Sequence, residues 1–121
     1  MENTKRFQGW DNVTKITSLI WISFSLLRGF YHRLFFNKSE GLILLVGKNA
    51  SIRQAKYLSV GKEFIAEDYC EINCLSKQGI VIGDRVSIGR YALIRPSNFY
   101  AGGEIGEGLK IGNNSNIGTY A

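Results

Sequence analysis

The fold of this chain is decided by the stretch Ile82-Gly83-Asp84-Arg85-Val86-Ser87, which is followed at once by Ile88-Gly89-Arg90-Tyr91-Ala92-Leu93. The same cadence returns in units that begin at Ile105, Ile111 and Ile117. Each unit has an aliphatic residue, a glycine, two polar positions and a small or apolar residue, so the period is six residues. A hexapeptide period predicts a parallel β-helix.

Degenerate copies of the unit extend the repeat back to Val46. The aliphatic residues that precede each turn are spaced by six within groups: Val46 and Ile52; Val60, Ala66 and Ile72; Ile82, Ile88 and Ile94; Ile105, Ile111 and Ile117. Extra residues separate the groups, as expected for triangular coils with one variable corner. We therefore predict an all-β solenoid, a parallel β-helix of about four triangular coils.

This register sorts the interior side chains by size. Two positions before each aliphatic residue, the second face presents the large residues Leu44, Phe64, Val86 and Leu109, and the third face presents the small residues Ala50, Cys70, Ala92 and Ser115. A close-packed interior needs such a separation. Cys70 is therefore predicted to be a core residue, whereas Cys74 lies in a connector and its environment is left open.

Glycine occupies the position after the aliphatic residue in seven of the eleven units. A sharp turn after so short a strand requires a positive φ somewhere, and glycine, asparagine or aspartate adopt it with least strain. We therefore expect these glycines to supply the left-handed conformation at the corners.

The connectors at the variable corner are the candidate functional loops. Residues 53–59, 73–81 and 95–104 are predicted to stack there as a ridge. Because function concentrates in loops held by a rigid scaffold, Arg95, Asn98, Tyr100 and Glu104 are candidates for contact with an acceptor substrate. A surface bulge or a subunit contact would explain the same ridge.

Residues 1–40 form an N-terminal segment that differs from the repeat region, residues 41–121. Apolar residues recur at helical spacing from Ile16 to Phe36, which predicts one helix or two short helices broken near Gly29. The apolar run is too short and too diluted by serine and threonine to span a bilayer. Residues 16–36 either cap the open end of the coils or contact a membrane surface.

Composition excludes several classes of protein. The 121 residues, 45% of them hydrophobic, fit one folded domain. The net charge of +5 comes without a basic stripe along the coils, so no nucleic-acid partner is expected. Cys70 and Cys74 are too few for a disulfide framework, and no histidine lies near them to complete a zinc site.

The tandem Ile-Gly units from Ile82 to Ala121, preceded by an apolar helical segment, resemble the hexapeptide-repeat acyltransferases, in particular the sugar and polysaccharide O-acetyltransferases. The resemblance implies a left-handed parallel β-helix that assembles as a homotrimer. It also implies acetyl-CoA as co-substrate in a groove between subunits, a sugar hydroxyl as acceptor, and no metal. We expect a cytoplasmic protein, peripheral to the inner face of the membrane if the helix binds lipid.

Acyl transfer of this kind uses a histidine as general base, and the only histidine of the chain is His32, in the apolar N-terminal segment. We assign no catalytic residue. In relatives the catalytic histidine lies in a later coil, and we place Ala121 at the uncapped close of a third face. We therefore expect an N-terminal portion of a longer transferase.

Two other classes of β-helical protein are alternatives to the transferase. A non-catalytic scaffold or assembly module would fit the absence of a histidine from the coils equally well. A γ-class carbonic anhydrase shares the coil architecture, but it needs three zinc-binding histidines, which one histidine cannot supply.

Overall fold

The structure is a computed structural model that describes residues 9–41, 43–97 and 105–121. Within these residues one helix, α1 (Asn12–Arg33), precedes eleven short strands. The strands are β1 (Lys38–Ser39), β2 (Leu44–Val46), β3 (Ser51–Arg53), β4 (Leu58–Val60), β5 (Phe64–Ala66), β6 (Glu71–Asn73), β7 (Ile80–Ile82), β8 (Ser87–Ile88), β9 (Leu93–Ile94), β10 (Leu109–Ile111) and β11 (Asn116–Ile117). A single 3₁₀ turn, Ala55–Tyr57, separates β3 from β4 among the described residues.

The described strands pair in three parallel sheets that the chain visits in rotation. The sheet orders are β1-β4-β7-β10, β2-β5-β8-β11 and β3-β6-β9, which we call sheets A, B and C. Each strand therefore pairs with the third strand after it along the chain. This arrangement is compatible with the predicted parallel β-helix.

Side chains from all three sheets form one buried cluster. Phe64, Leu58 and Ile72, from sheets B, A and C respectively, are fully buried within it. The strands are only two or three residues long, so the core depends on stacking successive layers rather than on any single strand.

The predicted sorting of large and small side chains is confirmed for the first three layers. In sheet B, Leu44 pairs with Phe64, and the N–H of Ile65 donates to the carbonyl of Val86. In sheet C, the N–H of Ser51 donates to the carbonyl of Cys70, which shows that the small residues Ala50 and Cys70 stack on one another. Cys70 is fully buried, as predicted.

The register predicted for the last group is wrong by one face. Ile111 pairs with Ile82 in sheet A and Ile117 pairs with Ile88 in sheet B, whereas the prediction placed them on the second and third faces. Leu109 accordingly stacks on Ile80 rather than on Val86.

The residues before β10 explain this difference, because they belong to the connector. The N–H of Lys77 donates to the carbonyl of Gly106, and the N–H of Gln78 donates to that of Glu107, so residues 105–108 continue the connector above residues 76–79. A spacing of six is the same on every face, and it cannot show how long an intervening connector is. A longer repeat shows where the layer resumes, because Gly79-Ile80-Val81-Ile82-Gly83 matches Gly108-Leu109-Lys110-Ile111-Gly112.

The chain end shifts with the register. In sheet B, Asn116 pairs with Ser87, and the N–H of Ser87 donates to the carbonyl of Ser115, which stacks Ser115 on Val86. The carbonyl of Ala121 accepts from the N–H of Leu93, which stacks Ala121 on the small residue Ala92. Ala121 therefore lies at the beginning of a third face, not at its close as predicted.

The glycines of the repeat do not supply the positive φ that we expected of them. The left-handed residues lie two positions later in the turns and are Asn49, Glu63, Tyr69, Arg85, Tyr91, Asn114 and Tyr120. Glycine is needed for close approach instead. A Cβ on Gly47 would meet the Asp68 carboxylate, and one on Gly61 would meet that of Asp84.

Those carboxylates link neighbouring layers. Asp68 Oδ1 accepts from the N–H of Lys48 at 2.8 Å, and Asp84 Oδ1 accepts from the N–H of Lys62 at 2.8 Å. Asn113 repeats the contact one layer further on, where its Oδ1 accepts from the N–H of Asp84 at 2.7 Å. Because glycine has no Cβ, there is room for the aspartate or asparagine side chain to reach the backbone of the neighbouring layer.

The N-terminal segment contains one continuous helix, so the break considered near Gly29 does not occur. The helix begins after Asp11, whose carboxylate accepts from the N–H of Thr14 at 2.7 Å. Hydrogen bonding with the side chain of Thr14, and then with its backbone N–H, lowers the pKa of Asp11. The polar residues that follow the helix include β1, which pairs with Ser59 and Val60 of β4.

Candidate functional site

A concave surface with converging polar groups lies on the outer side of sheet B. One cavity of about 510 Å³ is lined by Trp21, Ile65, Glu67, Asp68 and Arg90. A second cavity of about 280 Å³ is lined by Ile43, Leu45, Glu63, Ile65, Arg85, Val86 and Ser87. Ile65 lines both, so we treat the two cavities as one surface, the sheet B groove.

The floor of the sheet B groove is apolar because of strand alternation. Leu45 pairs with Ile65 at the middle of β2 and β5, and Ile65 pairs with Ser87. Their neighbours Leu44 and Phe64 point into the core, so Leu45, Ile65 and Ser87 point outward. Two aliphatic residues in an outward column give the groove a floor that favours the apolar part of a ligand.

Two arginines flank this floor at opposite ends of β8. Arg85 lies in the turn before the strand, and its Nε donates to Asn114 Oδ1 at 2.7 Å. Arg90 lies in the turn after the strand, and its Nη2 is 3.2 Å from Asp68 Oδ2. Both guanidinium groups are held by a partner from another layer. They can therefore present remaining N–H donors to an anion without first being ordered.

A stack of tyrosines forms the corner beside Arg90. The rings of Tyr69 and Tyr91 lie 5.4 Å apart and those of Tyr91 and Tyr120 lie 5.1 Å apart, with interplanar angles of 6°. All three have positive φ, near 60°. The stack fixes the spacing of the layers at this corner and so supports the position of Arg90.

The predicted ridge of connectors is only partly within the described residues. Arg95 is exposed at the end of sheet C, whereas Asn98, Tyr100 and Glu104 lie outside the described residues. Their contact with an acceptor therefore stays a prediction.

The base of the ridge is well ordered by hydrogen bonds. The hydroxyl of Ser97, which is buried, donates to the carbonyl of Leu75 and accepts from the N–H of Gly106 at 2.9 Å. The connectors from β6 to β7 and from β9 to β10 are thereby joined. The described part of the ridge is therefore attached to the scaffold at Ser97.

His32 lies in the last turn of α1. It is partly buried, and its ring meets that of Tyr31 edge-on at 5.4 Å between centroids. Burial, and then the positive charge of Arg28, lower its pKa from the ordinary 6.5.

The two cysteines are poor nucleophiles. Both are free and fully buried. Cys74, whose environment could not be predicted from the sequence, is therefore a core residue. Burial raises the pKa of Cys70 to about 11 and that of Cys74 to about 12. The thiolate needed for nucleophilic attack is therefore scarce at neutral pH.

The described residues hold no group of three or more histidine, cysteine, aspartate or glutamate side chains that could bind a metal ion. In the same part of the chain, no helix combines the length and the apolar character needed to cross a membrane. The described chemistry of the sheet B groove is thus that of two arginines, neighbouring carboxylates and an aliphatic floor.

No protein-family model, no curated protein and no solved structure matches this chain. The likeness to the hexapeptide-repeat acyltransferases therefore rests on the repeat itself.

The sequence reading missed the groove residues Ile65, Arg85 and Arg90. It looked for function in the longest connector, whereas this groove forms on the outer face of the strands. A signal was present, since the middle residues of β2 and β5 are leucine and isoleucine at positions that face outward.

Proposed function

We propose that this chain belongs to an acetyl-CoA-dependent O-acetyltransferase that acts on a sugar or a surface polysaccharide. The observation that carries the proposal is the passage of six-residue units through three parallel sheets in rotation. On this proposal the sheets form a left-handed parallel β-helix of about four triangular coils, and three chains associate as a homotrimer.

The sheet B groove is the proposed wall of the donor site. The pantetheine arm of acetyl-CoA is largely uncharged and would lie on the floor formed by Leu45 and Ile65, while Arg85 and Arg90 would bind its phosphates. A neighbouring subunit would close the other side. The protein would act as a peripheral enzyme of the cytoplasm, with no metal.

The chemistry consists of attack by an acceptor hydroxyl on the thioester carbonyl. A general base takes the hydroxyl proton, the C–S bond breaks, and the thiol of coenzyme A leaves as the ester forms. His32 does not lie in a coil, and burial together with Arg28 opposes its protonation. We therefore expect the 121-residue chain to bind acetyl-CoA without transferring its acetyl group.

The position of His32 also favours a second candidate, a non-catalytic β-helix that acts as a scaffold or assembly module. Such a protein would trimerise but would have no reason to bind acetyl-CoA. The two functions are therefore separated by donor binding.

Calorimetric titration with acetyl-CoA, combined with sedimentation to determine the oligomeric state, tests the proposal. We expect binding to a trimer, and we expect Arg90→Gln to weaken it by about tenfold or more, because a charge-assisted hydrogen bond contributes about 1.5–3 kcal/mol. Arg53→Gln is the matched control, since Arg53 is an exposed arginine of sheet C. A trimer that does not bind acetyl-CoA would favour the scaffold, and equal effects of the two variants would place the donor elsewhere.

A further inference from the structure

Helix α1 has its polar side toward the protein and its apolar side outward. Ser25 and Gly29 are its buried residues, and a Cβ on Gly29 would collide with the carbonyl oxygen of Leu44. Arg28 Nε donates to the carbonyl of Val46 at 2.7 Å, which satisfies an edge carbonyl of β2. Small and polar residues thus attach the helix to sheet B.

The opposite side of α1 exposes large apolar residues along its whole length. They are Val13, Ile16, Leu19, Ile20, Phe24, Leu27, Phe30 and Tyr31. Ile16, Ile20 and Leu27 recur at four and seven residues, so they lie on one side of the helix. They also line an apolar groove of about 340 Å³ together with Leu19, Ser23 and Phe24.

This surface is too continuous for an ordinary solvated helix. Leu27 is 64% exposed and Ile20 is 51% exposed, although both are as apolar as the residues of the core. The helix has 22 residues and is therefore about 33 Å long. A contiguous apolar patch of this length marks an interaction site.

The charges around the patch identify its partner. No aspartate or glutamate occurs between residues 12 and 37, and besides Arg28, which faces the protein, the helix carries Lys15 and Arg33. Lys15 and Arg33 are 18 residues apart, which is five whole turns, so they lie along the same flank of the apolar side. Trp21 lies on the other flank, and an indole is favoured at the level of lipid headgroups.

We propose that α1 is an interfacial helix that binds an anionic lipid surface, lying in its plane with the outward apolar side inserted. The apolar residues would enter the headgroup and acyl boundary, while the flanking basic residues would contact anionic headgroups. The absence of a membrane-spanning helix from the described residues agrees with an in-plane position. A second copy of the chain fits less well, because it offers the same cationic flanks and no acidic residues from its own helix.

Binding of the 121-residue chain to lipid vesicles tests this inference, which does not depend on the proposed enzyme activity. The probes are vesicles of phosphatidylcholine alone and of phosphatidylcholine mixed with phosphatidylglycerol, read by co-sedimentation and by tryptophan emission. We expect tight binding to the mixed vesicles with a blue shift of the emission. The variant Ile20→Ser/Leu27→Ser should lower the partition constant at least about tenfold, because two apolar side chains lose their insertion.

Val81→Ser/Leu93→Ser is the matched control, since it removes two exposed aliphatic side chains from the outer faces of sheets A and C. It should bind mixed vesicles like the unchanged chain. Lys15→Gln should weaken binding about fivefold on mixed vesicles and have little effect on phosphatidylcholine alone. Circular dichroism should show that every variant keeps its fold, because the replaced residues are at least partly exposed.

The inference is overturned if the unchanged chain does not bind mixed vesicles, or if the helix variant and the control bind equally well. It is also overturned if the helix variant changes only the oligomeric state, which would assign the apolar side to a second copy of the chain.

Discussion

The replacement of Gly61 by alanine tests whether the repeat glycines are required for close approach between layers. Gly61 does not have a positive φ, so alanine is allowed by the backbone. Its Cβ, however, would collide with Asp84 Oδ1 and would lie 2.8 Å from both the carbonyl carbon and the carbonyl oxygen of Gly83. Gly83 directly follows β7, which pairs with β4, so its backbone cannot move away without separating these two strands.

The cost has two parts. Overpacking of a close contact costs about 1–3 kcal/mol. Displacing the Asp84 carboxylate also weakens its hydrogen bond from the N–H of Lys62, which costs about 0.5–1.5 kcal/mol. Alanine recovers about 0.4–1 kcal/mol by restricting the unfolded chain. We therefore expect Gly61→Ala to lose about 0.5–4 kcal/mol, and a loss of about 2 kcal/mol corresponds to a fall of about 10 °C in the unfolding midpoint of a domain of this size.

Gly112→Ala is the matched control, because Gly112 occupies the same position in its unit and a Cβ there has no atom within 4 Å. It should leave the stability unchanged or raise it by about 0.4–1 kcal/mol. Thermal and urea unfolding, followed by circular dichroism, would measure both variants. Equal midpoints for the two variants would refute the close-approach argument and would return the repeat glycines to a role in backbone conformation.

Two further predictions concern the layer contacts and the buried thiols. Asp84→Ala should lose about 1 kcal/mol of unfolding free energy, because the N–H of Lys62 loses its acceptor. Asp84→Asn should stay within about 0.5 kcal/mol of the unchanged chain, since Asn113 already makes the same contact through an amide oxygen. Equal losses for the two variants in urea titrations would contradict this. The unfolding free energy should also fall as the pH rises from about 9.0 toward 11, because unfolding frees Cys70 to ionise at its ordinary pKa while burial raises the pKa to about 11 in the folded protein. Cys70→Ala should reduce that dependence in denaturant titrations at several pH values, and an unchanged slope would show that Cys70 is not its source.

The period of the repeat could be predicted because each layer contributes the same local pattern. The stacking of Leu44 on Phe64 followed from spacing and side-chain size, and so did the burial of Cys70. Both lie before the longest connector, where paired residues of successive layers are 20 residues apart (Leu44 and Phe64) or 22 residues apart (Ile65 and Ser87). The assignment of Ile111 and Ile117 failed beyond that connector, because a constant spacing of six does not show on which face the count resumes.

The role of the repeat glycines needed the tertiary structure. In sequence, a glycine at a corner is readily explained by a positive φ, which instead falls on residues such as Tyr91 and Glu63. What excludes a Cβ at Gly47 is Asp68, a residue of the next layer. Such a contact between layers is not visible in a local pattern.

The candidate site was not predicted, because its parts are separated along the chain. The sheet B groove brings Trp21 of the helix close to Ile65 and Arg90 of successive layers. The four residues chosen from the sequence were taken from one connector instead. Their contact with an acceptor stays a prediction, and of the four only Arg95 lies among the described residues.

By itself, the sequence determined the six-residue unit, the parallel layers and the alternation of inward and outward side chains, because these depend on the order of residues along a short strand. The tertiary structure decided which layers lie above one another after the long connector, which side of α1 faces the protein, and which outward residues share a groove. These features depend on distances between segments far apart in the chain. Helical periodicity, for example, showed an apolar stripe on α1, but only the packing of Gly29 against Leu44 showed that this stripe faces outward.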